Sequence, residues 1–407
     1  MSVSLPLPLG SPASGLDLSY DEIARPVVIE QPLRLLFTRD VLAPENATLT
    51  RVLTPRDAGI VPRVLVCWDE GLAGVRPDMS ARITAWFDAW RDDVRLAAAP
   101  VAVRGGEPVK NDRAALERVW AAIDAAHLCR HSYVLAIGGG AVLDMVGFAA
   151  ATAHRGIPLV RVPTTSLSQA DGGIGVKNGV NLFGKKNWLG TFVVPHAVVN
   201  DASFLHCLPP RDRRAGLVEA VKVALIRDAA FFEAIEARVE ALAAFEPDVL
   251  EAVVRVSARH HLEHIATGGD PFERGSARPL DFGHWAAHKL EQMTGFAVSH
   301  GEAVAMGVAL DVVYAVRVGL LDEQTADRVL QVLTAIGFAL YHPALQVRGE
   351  TGRRALLDGL EEFREHLGGR LTIPMIRAIG DQVDVHTMDA VHVDAAIDTL
   401  AARYGHG

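Results

Sequence analysis

The chain has 407 residues, half of them apolar and 22% charged, with a formal net charge of −9. That length exceeds one ordinary core and predicts two domains. The acidic balance excludes a nucleic-acid partner, which needs a basic footprint, but leaves room for a phosphorylated metabolite held by a local cluster of Lys and Arg. Three scattered cysteines (Cys67, Cys129, Cys207) without CxxC spacing argue against a disulfide framework and for a reducing cytoplasm. No apolar run reaches about 18 residues, so no membrane span is expected. Residues 1–27 open on MSVSLPLPLGSPASG, which lacks a basic leader and is interrupted by prolines; they read as a flexible tail rather than a signal peptide.

After the tail, PLRLLFT from Pro32 and RVLVCWD (Arg63 to Asp69) read as strands, and APVAVRGGE (Ala99 to Glu107) as a third ending in a glycine turn. DRAALERVWAAIDAAH (Asp112 to His127) is a helix behind an aspartate N-cap. SYVLAIGGGAVLDMVGFAAATA gives a buried strand, three glycines and a helix of small residues, and PLVRVPTT gives one more strand. This alternation predicts a parallel sheet with helices on both faces. From about Leu208 the texture turns helical: RRAGLVEAVKVALIRDAAFFEAIEARVEALAAF reads as nearly continuous helix, with few strand signals beyond it. The expected division is an α/β nucleotide domain over 28–205 and an all-α domain over 206–407, with the site in the cleft between them.

Several segments carry chemistry. AIGGGAVLD (Ala136 to Asp144) follows a strand and opens a helix, so its backbone N–H groups could approach a phosphate, although it is not the GxGxxG fingerprint and a plain tight turn would look the same. ADGGIGVKNGVNLFGKKN (Ala170 to Asn187) reads as a glycine-rich polar loop with Lys177, Lys185 and Lys186, suited to cradling an oxyanion or equally to lying solvated on the surface. Glu219 and Lys222 fall three apart on one helix face, the spacing of an ordinary surface ion pair. DFGHWAAH spaces His284 and His288 four apart with Asp281 three residues earlier, and His300 heads the helix of HGEAVAMG. Singly each histidine reads as structural; three of them with a glutamate suit a zinc site with an open position for substrate.

In family order, GGEPVKND, GGGAVLDMVGFAAATAHRGIP, VPTTSLSQADGGIGVKNGVNLFGKKNWLGTF, LVEAVKVALI, DFGHWAAH and HGEAVAMG resemble the sugar phosphate cyclases, whose best-known member is 3-dehydroquinate synthase. The resemblance runs from about Asp69 to the C-terminus and implies an NAD-binding α/β domain followed by a helical metal-binding domain. It implies Glu219, His284 and His300 as ligands of a divalent metal, zinc or cobalt. His288, Lys177, Asn187 and Arg155 match phosphate-binding positions, and Asp171 and Lys222 match positions that contact substrate hydroxyls. The implied NAD positions are Asp69, Glu107, Lys110, Gly139, Gly140, Asp144, Thr164, Thr165 and Lys186. The arginine of HRGIP reaches across a dimer interface in the family, which implies a homodimer. The implied reaction oxidises a secondary alcohol with NAD, eliminates phosphate, returns the hydride, and closes a carbocycle by ring opening and intramolecular aldol addition.

The sequence departs from dehydroquinate synthase at the end of the substrate opposite the phosphate. The arginine that would meet a carboxylate falls on Ala277, with Arg278 one place off; the lysine falls near Glu263; and the asparagine has become Asp281. A glutamate would repel a carboxylate, and loss of a bidentate arginine removes its strongest recognition element. The expected substrate is therefore sedoheptulose 7-phosphate and the product a valiolone-type cyclitol, the segments DPFERGSARPLDFGHW and EEFREHLGGRLT resembling the 2-epi-valiolone synthase and Ebo-cluster cyclase branches. REHLGG could supply Arg364 or His366 to the substrate. The competing readings are 3-dehydroquinate synthase, an NAD-dependent polyol dehydrogenase of related fold, and a non-catalytic binding protein.

Overall fold

The computed structural model describes residues 24–56, 59–272, 275 and 279–405, except the side chain of His366. Most of the expected tail, residues 1–23, lies outside the described residues, and residues 24–32 carry neither helix nor strand.

Seven strands form one wholly parallel sheet: β1 (Leu35–Thr38), β2 (Arg63–Asp69), β3 (Arg95–Leu96), β4 (Val101–Val103), β5 (Tyr133–Gly138), β6 (Leu159–Pro163) and, after an excursion, β9 (Ala197–Asp201). Their spatial order is β1-β9-β6-β5-β2, with both β3 and β4 on the outer edge of β2. The central strands are apolar runs without alternation because both faces are covered: all six residues of β5 are buried. One face packs under the Met79–Ala89 helix, the other under the Arg113–Ala125 and Gly140–Thr152 helices. Asp112 caps the second of these helices by accepting from Ala115 N at 2.9 Å, as its sequence predicts. Strand order reverses at β2, which has β5 on one side and the β3–β4 edge on the other. Asp69 and Gly138 end these two neighbours, so a crevice opens at their carboxyl ends, where such sheets bind ligands.

The glycine-rich segment is only partly the loop that its composition suggests. Strands β7 (Lys177–Leu182) and β8 (Lys185–Phe192) make an antiparallel hairpin. Its two-residue turn, Phe183 (φ 53) and Gly184 (φ 71), takes the left-handed pair that matches hairpin twist. Gly179 lies opposite Gly190, and a side chain at Gly179 would stand 2.9 Å from the Leu189 carbonyl, so these glycines permit a close strand crossing.

The remainder of the chain is a helical domain around one large apolar cluster. The expected continuous helix is broken: Pro210–Arg227, Ala229–Glu236 and Val239–Ala243 are separate. Asp228 leaves the helical region (φ −148, ψ 91) and caps the next helix through Phe231 N at 2.9 Å. A further hairpin, β10 (Ile373–Ala378) with β11 (Asp381–Val385), interrupts the helices without a clear sequence signal. Among the described residues no helix is long and apolar enough to cross a membrane.

A close helix approach in the site region joins the His284–Met293 and His300–Arg317 helices. Gly283 caps the first with φ 79, and Gly307 lies on the second. A Cβ on Gly307 would stand 2.0 Å from the Gly283 carbonyl oxygen. Fully buried Asp311, one turn further on, accepts from Gly283 N at 3.0 Å and from Trp285 Nε1 at 2.8 Å. Gly307→Ala must push backbone from backbone, and overpacking of this kind costs about 1–3 kcal/mol. The urea midpoint should fall with an unchanged m-value; an unaltered midpoint would contradict the packing described.

Candidate functional site

The Pro210–Arg227 helix is docked against the segment that follows β6. Its Gly216 leaves no room for a side chain, since a Cβ would lie 2.4 Å from the Ser166 carbonyl carbon, and Gly216 N donates to Ser166 Oγ at 2.8 Å. Within the next two turns of this helix Glu219 and Lys222 are buried, each 2% exposed. The surface pair suggested by their spacing is thus an interior one. Ligand atoms of Glu219, His284 and His300 all lie within 4.8 Å of one another. The three rings of His284, His288 and His300 are mutual neighbours, with centroids 5.4–5.9 Å apart, and His288 is on the exposed side.

The donor set suits a divalent cation. Both Glu219 carboxylate oxygens are buried without a hydrogen-bond partner, although Lys222 forms an ion pair with one of them. Burial pushes the Glu219 carboxyl up to about 7 against the pull of Lys222. Burial, with Lys222 beside it, holds His284 well below the usual imidazole range, which keeps it in the neutral state a metal ligand requires. His284 Nδ1 lies 3.2 Å from the Phe282 carbonyl, which leaves Nε2 for the site. His300 Nδ1 lies 3.1 Å from Glu291 Oε2, and its Nε2 is 4.0 Å from Glu219 Oε1. A second group, His288, Glu291 and His300, also brings its ligand atoms within 4.8 Å, but Glu291 Oε1 already holds Lys186 Nζ at 3.0 Å.

Beyond Lys222 stands Asp171, on the turn Ser168–Gly172. Its Oδ2 lies 3.3 Å from Lys222 Nζ and its Oδ1 3.4 Å from His261 Nδ1. Burial opposes its ionisation, but His261 and Lys222 together hold the carboxyl well below the usual range. The charge of Asp281 also acts on Lys222. The chain from Asp171 to Lys177 is shaped by Arg161, a lone charge in the apolar strand β6 and fully buried. Its guanidinium donates to the carbonyls of Gly173 (3.1 Å), Gly175 (2.7 Å) and Lys177 (2.8 Å) and to Asn178 Oδ1 (2.7 Å). Four acceptors in a segment that leaves the sheet are thereby satisfied by one side chain. Arg161, His261, His264, Arg227 and Glu291 were not among the expected site residues; a charge inside LVRVP and the spacing of Glu291, seven residues after His284, were the available signals.

The crevice gathers most of the expected cofactor positions. Asp69 accepts from Gly71 N at 2.9 Å, and a Cβ on Gly105 would lie 2.2 Å from Asp69 Oδ1. Gly139 caps the Gly140–Thr152 helix, and a Cβ there would lie 3.2 Å from Thr165 Cγ2, whereas one on Gly140 would meet nothing within 4 Å. Space is thus open beside Gly140 at a helix start, the kind of position that suits a bound phosphate, while the Gly139 N–H reaches the Asp69 carboxylate. Thr164 N donates to the Gly138 carbonyl at 3.0 Å, Lys110 pairs with Asp144 at 2.8 Å, and Asn181 donates to Glu107 at 3.0 Å. Lys186 departs from this group: the buried carboxylate of Glu291 draws its ammonium to the helical side, where it also lies 4.9 Å from the Phe296 ring centre.

Other expected positions are exposed. Lys177 is exposed on β7, and Asn187 is exposed with φ 52, its N–H donating to Asn181 Oδ1 at 2.8 Å. Arg155 is exposed on a left-handed turn (φ 60), and its guanidinium has no hydrogen-bond or ion-pair partner among the described residues. Glu263 corrects the sequence reading: its half-exposed side chain pairs with Arg259 at 3.8 Å on the outer face of its helix, so it does not set the charge of the site. The inner face of that helix presents His261 and His264, and His264 Nδ1 lies 2.5 Å from the Arg227 guanidinium. Ala277 and Arg278 lie outside the described residues, as does the side chain of His366; Arg364 is exposed and binds its neighbour Glu361 at 2.8 Å.

Family models for the N-terminal and C-terminal parts of 3-dehydroquinate synthase match residues 100–215 and 216–354. The chain is 40% identical to the 3-dehydroquinate synthase of Halorhodospira halophila, over 66% of this chain and 73% of that one. It is 38% identical to the 2-epi-5-epi-valiolone synthase of Streptomyces glaucescens, over 71% and 74%. The 2-epi-5-epi-valiolone synthase ValA of Streptomyces hygroscopicus, solved with NAD⁺ and Zn²⁺ bound, superposes with a TM-score of 0.81 at 30% identity, covering 94% of this chain and 99% of that one. With the nucleotide crevice and the Glu219–His284–His300 cluster in place, the chain belongs to the 3-dehydroquinate synthase family of sugar phosphate cyclases.

Proposed function

We propose that the protein is an NAD- and metal-dependent cyclase that converts sedoheptulose 7-phosphate to a valiolone-type cyclitol with release of phosphate. The observation that carries this reading is Asp281, a carboxylate where dehydroquinate synthase has an amide, close enough to act on Lys222. A second anionic acceptor whose charge, like that of Asp171, acts on Lys222 suits substrate hydroxyls and disfavours a substrate carboxylate, since an uncompensated buried charge costs several kcal/mol. We place cofactor binding in residues 28–205 and metal and substrate binding in 206–407.

When bound, NAD and the divalent metal supply a reversible hydride acceptor and a Lewis acid. The chain's own groups do the rest. Glu219, His284 and His300 hold the cation. Lys222 and Asp171, an ion pair at 3.3 Å, orient the substrate hydroxyls, including the one secondary alcohol that is oxidised to a ketone and later restored by re-reduction. Lys177, Asn187, His288 and Arg155 bind the phosphate and stabilise it as it leaves. NAD is restored within each turnover, so NADH absorbance should not grow in step with product; growth in proportion to product would instead support a polyol dehydrogenase.

We further propose a cytoplasmic homodimer. Three free cysteines fit a reducing compartment. Among the described residues the Arg155 guanidinium has no hydrogen-bond or ion-pair partner, and the hairpin exposes Phe183, Trp188 and Phe192 at 74%, 50% and 47%. Sedimentation of the purified chain at micromolar concentration should give the dimer mass, and Trp188→Glu should give monomers with impaired turnover. A fully active wild-type monomer would remove Arg155 from the site.

One observation favours 3-dehydroquinate synthase instead. The Arg227 guanidinium, bound to His264, brings a cation to the side of the site where Asp171 and Asp281 act on that histidine. The two readings separate by kcat/KM measured on both substrates with phosphate release as readout. A preference of roughly a thousandfold for sedoheptulose 7-phosphate is expected, since each ~1.4 kcal/mol is tenfold. Comparable or better turnover of the carboxylated substrate would return the protein to the dehydroquinate synthase branch, with Arg227 as the group to test.

A further inference from the structure

We infer that Glu291 is a positioning residue that fixes the His300 ring toward the metal and ties the glycine-rich hairpin to the same point; this rests on the metal reading of Glu219, His284 and His300. Glu291 lies on the His284–Met293 helix, seven residues after His284, so two turns of helix place both on one face. It is 4% exposed, and each of its oxygens has a defined partner. Oε2 lies 3.1 Å from His300 Nδ1, and Oε1 lies 3.0 Å from Lys186 Nζ. The bond at Nδ1 fixes the tautomer and turns Nε2 toward Glu219, 4.0 Å away. His284 is held in the equivalent way by the Phe282 carbonyl, so the two imidazoles have different outer partners: a neutral carbonyl and a full carboxylate.

The second oxygen gives Glu291 a reach that a carbonyl lacks. Lys186 stands on β8, next to Asn187, and its ammonium crosses from the hairpin to the helix. The segment carrying Lys177 and Asn187 is thereby registered on the carboxylate that orients His300. A second metal at His288, Glu291 and His300 would share His300 and would have to displace Lys186, so the geometry assigns Glu291 to orientation rather than ligation.

The test compares Zn²⁺ affinity, by competition with a chromophoric chelator, in full-length metal-free wild type, Glu291→Gln, Glu291→Asp and His284→Ala. The visible spectrum of each Co²⁺ form and the melting temperature of each metal-free form are recorded alongside. Glu291→Gln should bind Zn²⁺ about 10–100-fold more weakly, with altered Co²⁺ bands and a metal-free melting temperature close to wild type. Glu291→Asp, which keeps the charge but withdraws it by one methylene, should show a smaller loss in the same direction and serves if the glutamine variant does not fold. Wild-type affinity in both variants would overturn the inference. So would a loss of metal-free stability that accounts for the whole loss of affinity, or two ions per wild-type chain of which Glu291→Gln loses one. Failure of wild type to bind Zn²⁺ more tightly than His284→Ala would contradict the metal reading itself.

Discussion

A buried carboxylate with no partner beyond one shared ammonium is the constraint around which this molecule is arranged. Glu219 is carried into the contact between the α/β and helical parts by a helix whose residues from Gly216 to Ile226 are all buried. Lys222 alone does not satisfy it, because the same ammonium is shared with Asp171 and feels Asp281 as well. Such a cluster carries a desolvation penalty that one ion pair rarely offsets. Two imidazoles with their Nε2 atoms turned inward are the groups that, in the proposed metal site, would turn this liability into a binding site with a divalent cation.

The surrounding packing serves that arrangement. Gly283 and Gly307 bring two helices within backbone contact, and Asp311 pins the turn that immediately precedes His284. Gly216 performs the same service for Glu219 by admitting Ser166 against the helix. On the other side, Arg161 spends its guanidinium on three carbonyls and an amide, and so defines the path from Asp171 to the hairpin. The site is consequently positioned by rigid elements from both layers, with loops contributing its rim.

Much of this was legible in the sequence because the signals are local. The apolar runs RVLVCWD and YVLAIG, the Asp112 cap and the glycines after β5 each dictate structure within a few residues, and they fall where expected. The histidine spacing in DFGHWAAH places two rings on one helical face in any context. What the sequence hid is non-local. The β7–β8 hairpin is built on a glycine pair that local propensity reads as loop, and only cross-strand pairing reveals it. The orientation of Glu263 depends on helix phase: His261 and His264 face Asp171 and Arg227, whereas Glu263 faces Arg259. The burial of Glu219 and Lys222 depends on a glycine meeting a serine fifty residues away, as recorded by the Gly216–Ser166 bond.

The central claim is that Glu219, His284 and His300 hold a single divalent ion. Anomalous diffraction at the cobalt edge from crystals of the full-length protein grown with Co²⁺ tests it most directly. One strong peak should appear within about 2.0–2.2 Å of a Glu219 oxygen and of the Nε2 atoms of His284 and His300, distances usual for such ligands. A peak seated on His288 and Glu291, or none in this cluster at saturating Co²⁺, would contradict the account.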